Sequence, residues 1–208
     1  MRKGSVMMRP YKLLVSLSLA TVFVLEVATA PLLAAPAGEE VKATIDGVMK
    51  VLNDPKLQGQ KKERREALRK IILPKFDFTE MAKRALGSNW GREPDKQKEF
   101  VSAFTQLLED SYADQVESAN GNKISVVNER TDKGYAEVDT KIVSSKGEET
   151  PMTYKLHSVG SEWKVYDVVI ANISLVNNYR SQFNRVLANG SMDELIKRIK
   201  DKKVERRS

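Results

Sequence analysis

The chain has no cysteine and a single histidine. Without cysteine there is no disulfide framework, no thiolate nucleophile and no lipid anchor on an N-terminal cysteine, so the fold must be held by its core. A zinc site would lack its usual ligands. Aromatic residues are few, at 7%, with two tryptophans. No glycine-rich loop follows a strand in the arrangement that cradles phosphate. Only one apolar run stands out, Leu13 to Leu25, and it is too short to span a bilayer comfortably.

That run has the setting of an export signal. Arg2, Lys3, Arg9 and Lys12 precede it, and Ala28, Ala30, Ala34, Ala35 and Ala37 follow. The other Ala-x-Ala-like sites are followed by proline, so the expected cut lies after Ala37. Residues 1–37 are read as a signal peptide, 38–200 as the folded domain and 201–208 as a basic tail. Glu26 interrupts the apolar run and argues against an uncleaved anchor. A periplasmic protein is expected.

The formal charge of +7 is concentrated at the ends of the chain. The leader carries four basic residues and one acidic, and the stretch from Lys197 to Arg207 carries seven basic and two acidic. The domain between is nearly neutral. It lacks the basic face interleaved with aromatics that a nucleic-acid binder needs, so no nucleic-acid partner is expected.

Helical spacing comes first along the mature chain. Val41, Ile45, Val48 and Leu52 form one stripe, ended by Asn53-Asp54-Pro55. Lys61 to Leu73 is highly charged and closed by Pro74. Asp77 and Glu80 form a capping pair, and Gly87 ends the helix they open. A longer helix from Pro94 carries Phe100, Phe104, Leu107, Leu108, Ser111 and Tyr112 on one face. The period then becomes two over 124–129, 135–143, 152–157 and 163–170, with turn residues between. Short connections imply an antiparallel meander. Ala136, Val138, Thr140 and Ile142 share an apolar face, and Glu137, Asp139 and Lys141 the wet reverse. Helix returns at Leu175-Val176-Tyr179-Phe183, and Ser191 with Glu194 opens a last one. The expected fold is α+β, with several helices on one face of a curved four-stranded antiparallel sheet.

Catalytic signals are thin. His157 lies on a strand and reads as solvent-facing or locally hydrogen-bonded. Adjacent acids such as Glu109-Asp110 point to different sides of a helix and do not form a pair. Asp167, inside an apolar strand, is read as buried against Arg180 or lying on the wet face; a polar group at a pocket mouth is the other option. No catalytic residue and no metal ligand is assigned.

Two blocks carry a resemblance. Phe76-Asp77-Phe78-x-x-Met81-Ala82-x-x-Ala85-Leu86-Gly87 with Trp90 runs into Gln97-x-x-Phe100-x-x-x-Phe104-x-x-Leu107-Leu108 and Tyr112. Trp163-x-Val165-Tyr166-Asp167-Val168 is followed by Ile173-Ser174-Leu175-Val176 and Asn178-Tyr179-Arg180-Ser181-Gln182-Phe183. Together, over roughly Val41 to Lys200, they resemble the MlaC/toluene-tolerance family. Ala171-Asn172 departs from the family's usual glycine, but asparagine tolerates the same backbone angles.

The resemblance implies a periplasmic phospholipid carrier and not an enzyme. Acyl chains would lie in an apolar pocket of a nuclear-transport-factor-like cone, with phospholipid as cargo and no cofactor. Its partners would be an inner-membrane complex of MCE protein, permease and ATPase and an outer-membrane lipoprotein–porin complex, with transient membrane contact by a monomeric carrier. Carried over by position, Ile173, Val176, Tyr179 and Phe183 are expected to form one wall. Val138, Ile142, Met152, Tyr154, Leu156 and Val169 form the sheet wall, joined by Leu108 and Tyr112 of the long helix. An enzyme on a ketosteroid-isomerase-like scaffold is the alternative, with Asp167 its candidate polar group.

Overall fold

The computed structural model describes residues 35–201. Residues 1–34 of the leader expected over 1–37, and residues 202–208 of the expected tail, lie outside the described residues. Six helices and five strands occur in the order α1 (Ala37–Leu52), α2 (Lys61–Ile72), α3 (Phe78–Leu86), α4 (Gln97–Glu117), β1 (Lys123–Asp132), β2 (Tyr135–Val143), β3 (Glu149–Val159), β4 (Glu162–Ile170), β5 (Ile173–Ser174), α5 (Leu175–Leu187) and α6 (Met192–Lys200). The strands form one antiparallel sheet in sequence order.

The fifth strand corrects the four-stranded expectation. Ala171 (φ 46°) and Asn172 (φ 67°) both lie in the left-handed region, where two such residues make the tight hairpin loop whose twist suits antiparallel strands. Ile170 therefore pairs with Ile173 across a two-residue turn. The strand ends at once because the Ser174 side chain caps α5 by accepting from Asn177 N–H. Asp77 and Ser191 cap α3 and α6 in the same way, each accepting from the residue three positions on.

Two bulges decide which side chains face which layer. One extra residue reverses the alternation beyond it. In β1 the irregularity falls between Val126 and Asn128, so Glu129 rather than Asn128 pairs with the inward-facing Val138. In β4 it falls at Tyr166: Leu156 pairs with Val165, but Lys155 pairs with Asp167. Trp163, Val165, Val168 and Ile170 thus share the inner face with Val138, Tyr154 and Leu156, while Tyr166 and Asp167 turn outward.

The helices do not all cover one face. α1 lies on the inner face of the sheet, burying Val41 and Ile45 against Val138, Leu156 and Val165. α3 and α5 reach the outer side of β4, where the Arg84 guanidinium stands 4.0 Å from the centre of the Tyr166 ring. With α4 and α6 they close a second core around Phe100, Phe104, Tyr179 and Phe183. Phe76 packs against both cores.

Candidate binding cleft between the first helix and the sheet

The start of α1 offers no capping side chain of its own. The bulge in β1 supplies one from a distance. Ala37 N–H donates to Glu129 Oε1 at 2.9 Å, and Gly38 N–H donates to Oε2 at 3.0 Å. A carboxylate there satisfies two orphan donors and suits the positive end of the helix. A Cβ on residue 38 would stand 2.7 Å from Glu129 Oε2, so a larger residue there would push the carboxylate from its place. The Trp163 indole N–H donates to the Ala35 carbonyl at 2.7 Å, and Lys75 pairs with Glu40. These contacts hold α1 over the inner face.

Between α1 and the sheet is a cavity of about 40 Å³, lined by Val41, Thr44, Ile45, Phe76, Tyr154, Leu156, Trp163 and Val165, with Glu40 and Lys75 at its side. It is almost wholly apolar. Besides Thr44 and the flanking Glu40 and Lys75, its polar group is Tyr154, whose phenol burial pushes up to about 12, so it stays neutral. Beyond the cavity the same layer continues through half-buried Met49, Ile124, Val126, Met152 and Ile170. The space has room for about one water molecule and is far below the roughly 300–1,000 Å³ of small-molecule pockets.

The expected site residues divide between the two cores. Val138, Met152, Tyr154 and Leu156 line or adjoin the inner-face layer. Ile142 is half-buried and pairs with Ile124 in the same register. Val169 does not join them: it pairs with Thr153 and Ser174 on the outer face, because the bulge at Tyr166 hands its inward place to Val168 and Ile170. Val176, Tyr179, Phe183, Leu108 and Tyr112 belong to the helical core. There Phe104 meets Tyr179 and Phe183 edge-on, with ring centres 5.2 and 5.4 Å apart. Ile173 is 61% exposed at the hairpin tip. The helical wall facing the sheet is α1, whose stripe at Val41, Ile45 and Met49 is visible in the sequence but looks like any other core stripe.

The polar candidates have structural employment. Asp167 is buried and does not meet Arg180. It accepts from Ser174 Oγ at 2.6 Å and from Val176 N–H at 3.0 Å, fastening α5 to β4. Arg180 instead donates from Nε to the Arg84 carbonyl at 2.7 Å, at the end of α3. His157 Nε2 lies 3.0 Å from Asp77 Oδ2, the residue that caps α3. Among the described residues no group of His, Cys, Asp and Glu side chains could hold a metal ion, and no helix is long and apolar enough to cross a membrane.

Comparison with known proteins places this geometry. The model of the MlaC protein family matches residues 42–201. The toluene tolerance protein ttg2D of Pseudomonas putida is 28% identical over 121 residues, 57% of this chain and 56% of that one. The intermembrane phospholipid transport system binding protein MlaC of Haemophilus influenzae is 25% identical over 153 residues, covering 71% of this chain and 72% of its own. A phospholipid-binding protein from Ralstonia solanacearum, solved in complex with a phospholipid, superposes with a TM-score of 0.72 at 25% identity, over 80% of this chain and 96% of the other. With the family match spanning the sheet, both cores and all six helices but the first turn of α1, the chain belongs to the MlaC family.

Proposed function

We propose that the protein is a periplasmic phospholipid carrier that holds acyl chains between α1 and the inner face of the sheet. The reading is carried by one observation: the same fold, in the R. solanacearum relative, is solved with a phospholipid. The chemistry of the cleft supports it. Burial of each methylene is worth about 0.8 kcal/mol, so a chain of roughly sixteen carbons cannot cross water uncovered. Val138, Tyr154 and Leu156 on one side and Val41, Ile45 and Met49 on the other offer a dry surface, bordered by Met152, Ile170 and Ile142. Ile173, exposed at the tip beside Ile170, would meet a chain on its way in.

A cavity of about 40 Å³ does not admit an acyl chain, so loading must part α1 from the sheet. Inner-membrane and outer-membrane complexes of the kinds named above are the proposed partners in lipid exchange. The enzyme alternative loses its candidate polar group, since Asp167 spends both oxygens on Ser174 and α5.

The test is to purify the mature protein from the periplasm, denature it, extract with organic solvent and analyse the extract by mass spectrometry. A stoichiometric amount of phospholipid is expected. A folded protein that yields none contradicts the proposal.

A further inference from the structure

α2 is the most basic helix among the described residues, with Lys61, Lys62, Arg64, Arg65, Arg69 and Lys70 against Glu63 and Glu66. It buries a single residue, Leu68. α2 packs chiefly on α1, where Ile71 lies against Gly47, and its ties beyond that hairpin are ionic. Among the described residues, its ion pairs to a distant element go to the outer half of α4. Lys61 Nζ lies 3.7 Å from Asp114 Oδ1, and Arg65 Nη2 bonds the same carboxylate. Arg64 Nη2 donates to Glu117 Oε2 at 2.9 Å, and Arg65 Nε donates to Glu117 Oε1. Arg69 Nε donates to Glu109 Oε2 at 2.8 Å.

The two ends of the α1–α2 hairpin are fixed on the opposite side. Gly38 N–H, which a cut after Ala37 leaves in place, is held by Glu129, and in the uncut chain Ala37 and Ala35 add contacts to Glu129 and Trp163. After α2, the Pro74 carbonyl accepts from Lys164 Nζ at 2.8 Å, Phe76 bridges Val165, and Asp77 N–H donates to the Val165 carbonyl at 2.9 Å. The turn between the helices, residues 53–60, contains no buried residue. The hairpin is therefore anchored at its base by β1 and β4, and fastened towards its tip by exchangeable ion pairs.

Resting on the carrier reading above, we propose that α1 and α2 form a hinged lid over the lipid cleft, latched by the ion pairs between α2 and α4. Release of the latch lets α1 lift from the inner face while its base stays in place. Glu117 is the centre of the latch. Its side chain is only 10% exposed, and it takes charge-assisted hydrogen bonds from two arginines, the strong kind. Arg64 Nε is buried without a hydrogen-bond partner, so the latch is not saturated. The other pairs are partly exposed and weak singly.

The absence of cysteine allows a direct test. In the mature chain, Arg65→Cys with Asp114→Cys is bridged by a short bis-methanethiosulfonate linker, which reductant releases. Uptake is measured from vesicles of phosphatidylethanolamine and phosphatidylglycerol carrying a fluorescent phospholipid. The bridged protein is expected to lose uptake by about tenfold or more and to regain it on reduction. Glu117→Gln, which needs no lipid for its readout, is expected to raise amide hydrogen exchange in α2 while leaving α5 unchanged. Equal uptake by bridged and reduced protein overturns the latch and leaves the carrier reading standing. No uptake even after reduction overturns the carrier reading, and with it any role of the latch in loading.

Discussion

The two cores of this molecule are built differently. The helical core seals sixteen buried residues around edge-on aromatic rings, with Phe100, Phe104 and Phe183 at 0 to 1% exposure. Both cores carry a half-buried margin, but the layer between α1 and the sheet has only nine buried residues. Its margin, with Met49, Ile124, Val126, Met152, Tyr154 and Ile170, is therefore the larger share of it. Rings locked edge-on resist rearrangement, whereas methionine and aliphatic margins can repack. The helical core is fastened by packing. The α1 layer is fastened by a smaller core and, at its edges, by Glu129, Trp163 and charged pairs. Rigidity and adaptability are thus assigned to separate halves of one chain, and β4 serves both through its bulge at Tyr166.

The comparison can be broken at four points. The largest effect belongs to the helical core. Phe183→Ala should cost about 3–5 kcal/mol in denaturant unfolding, while the lipid recovered per folded molecule stays unchanged. Met49→Glu places a charge on the margin of the other layer. It should lower bound phospholipid by about tenfold and change stability by no more than about 1 kcal/mol, read by mass spectrometry beside a melt. Equal damage to stability from both variants would erase the distinction.

Acid should act on the charged fastenings. Burial works to raise the Glu117 carboxyl, but hydrogen bonds from Arg65 and Arg64 more than offset it and leave it below the ordinary range. A carboxylate lowered in the folded state contributes stability above its unfolded pKa, and that contribution is lost as pH falls through the folded one. Glu137, held down by hydrogen bonds from Arg130 and Lys155, follows the same rule. Amide exchange in α2 should therefore rise as pH drops below the usual carboxylate range, after correction for intrinsic exchange, before the helical core opens. The smallest effect is at the hairpin tip: Ala171→Gly relieves a left-handed alanine and should raise stability by up to about 1 kcal/mol.

How much of this was legible in the sequence follows from the same differences. Alternation identified the inner face of β2 and β3, because Ala136, Val138, Met152, Tyr154 and Leu156 sit on uninterrupted strands. It failed at Val169, because the bulge at Tyr166 adds a residue that period-two reading cannot see. Caps at Asp77 and Ser191 were readable because their partners are local. β5 was missed because two residues between a turn and a helix cap carry no period. The stripes of α1 and α5 have the same helical spacing, so nothing local showed which would face the sheet and which would join the aromatic core. The latch was hidden too: the charges of residues 61–69 and 109–117 look like two solvated faces until the fold brings them together.

The central claim is that acyl chains lie between α1 and the sheet. It is tested most directly by loading the protein with a phospholipid bearing a diazirine near the end of one acyl chain, irradiating, and mapping the adduct by peptide mass spectrometry. The account predicts adducts on Val41, Ile45, Met49, Tyr154 or Leu156. Adducts confined to Leu108, Tyr112, Val176 or Phe183 would place the lipid in the helical core and contradict it.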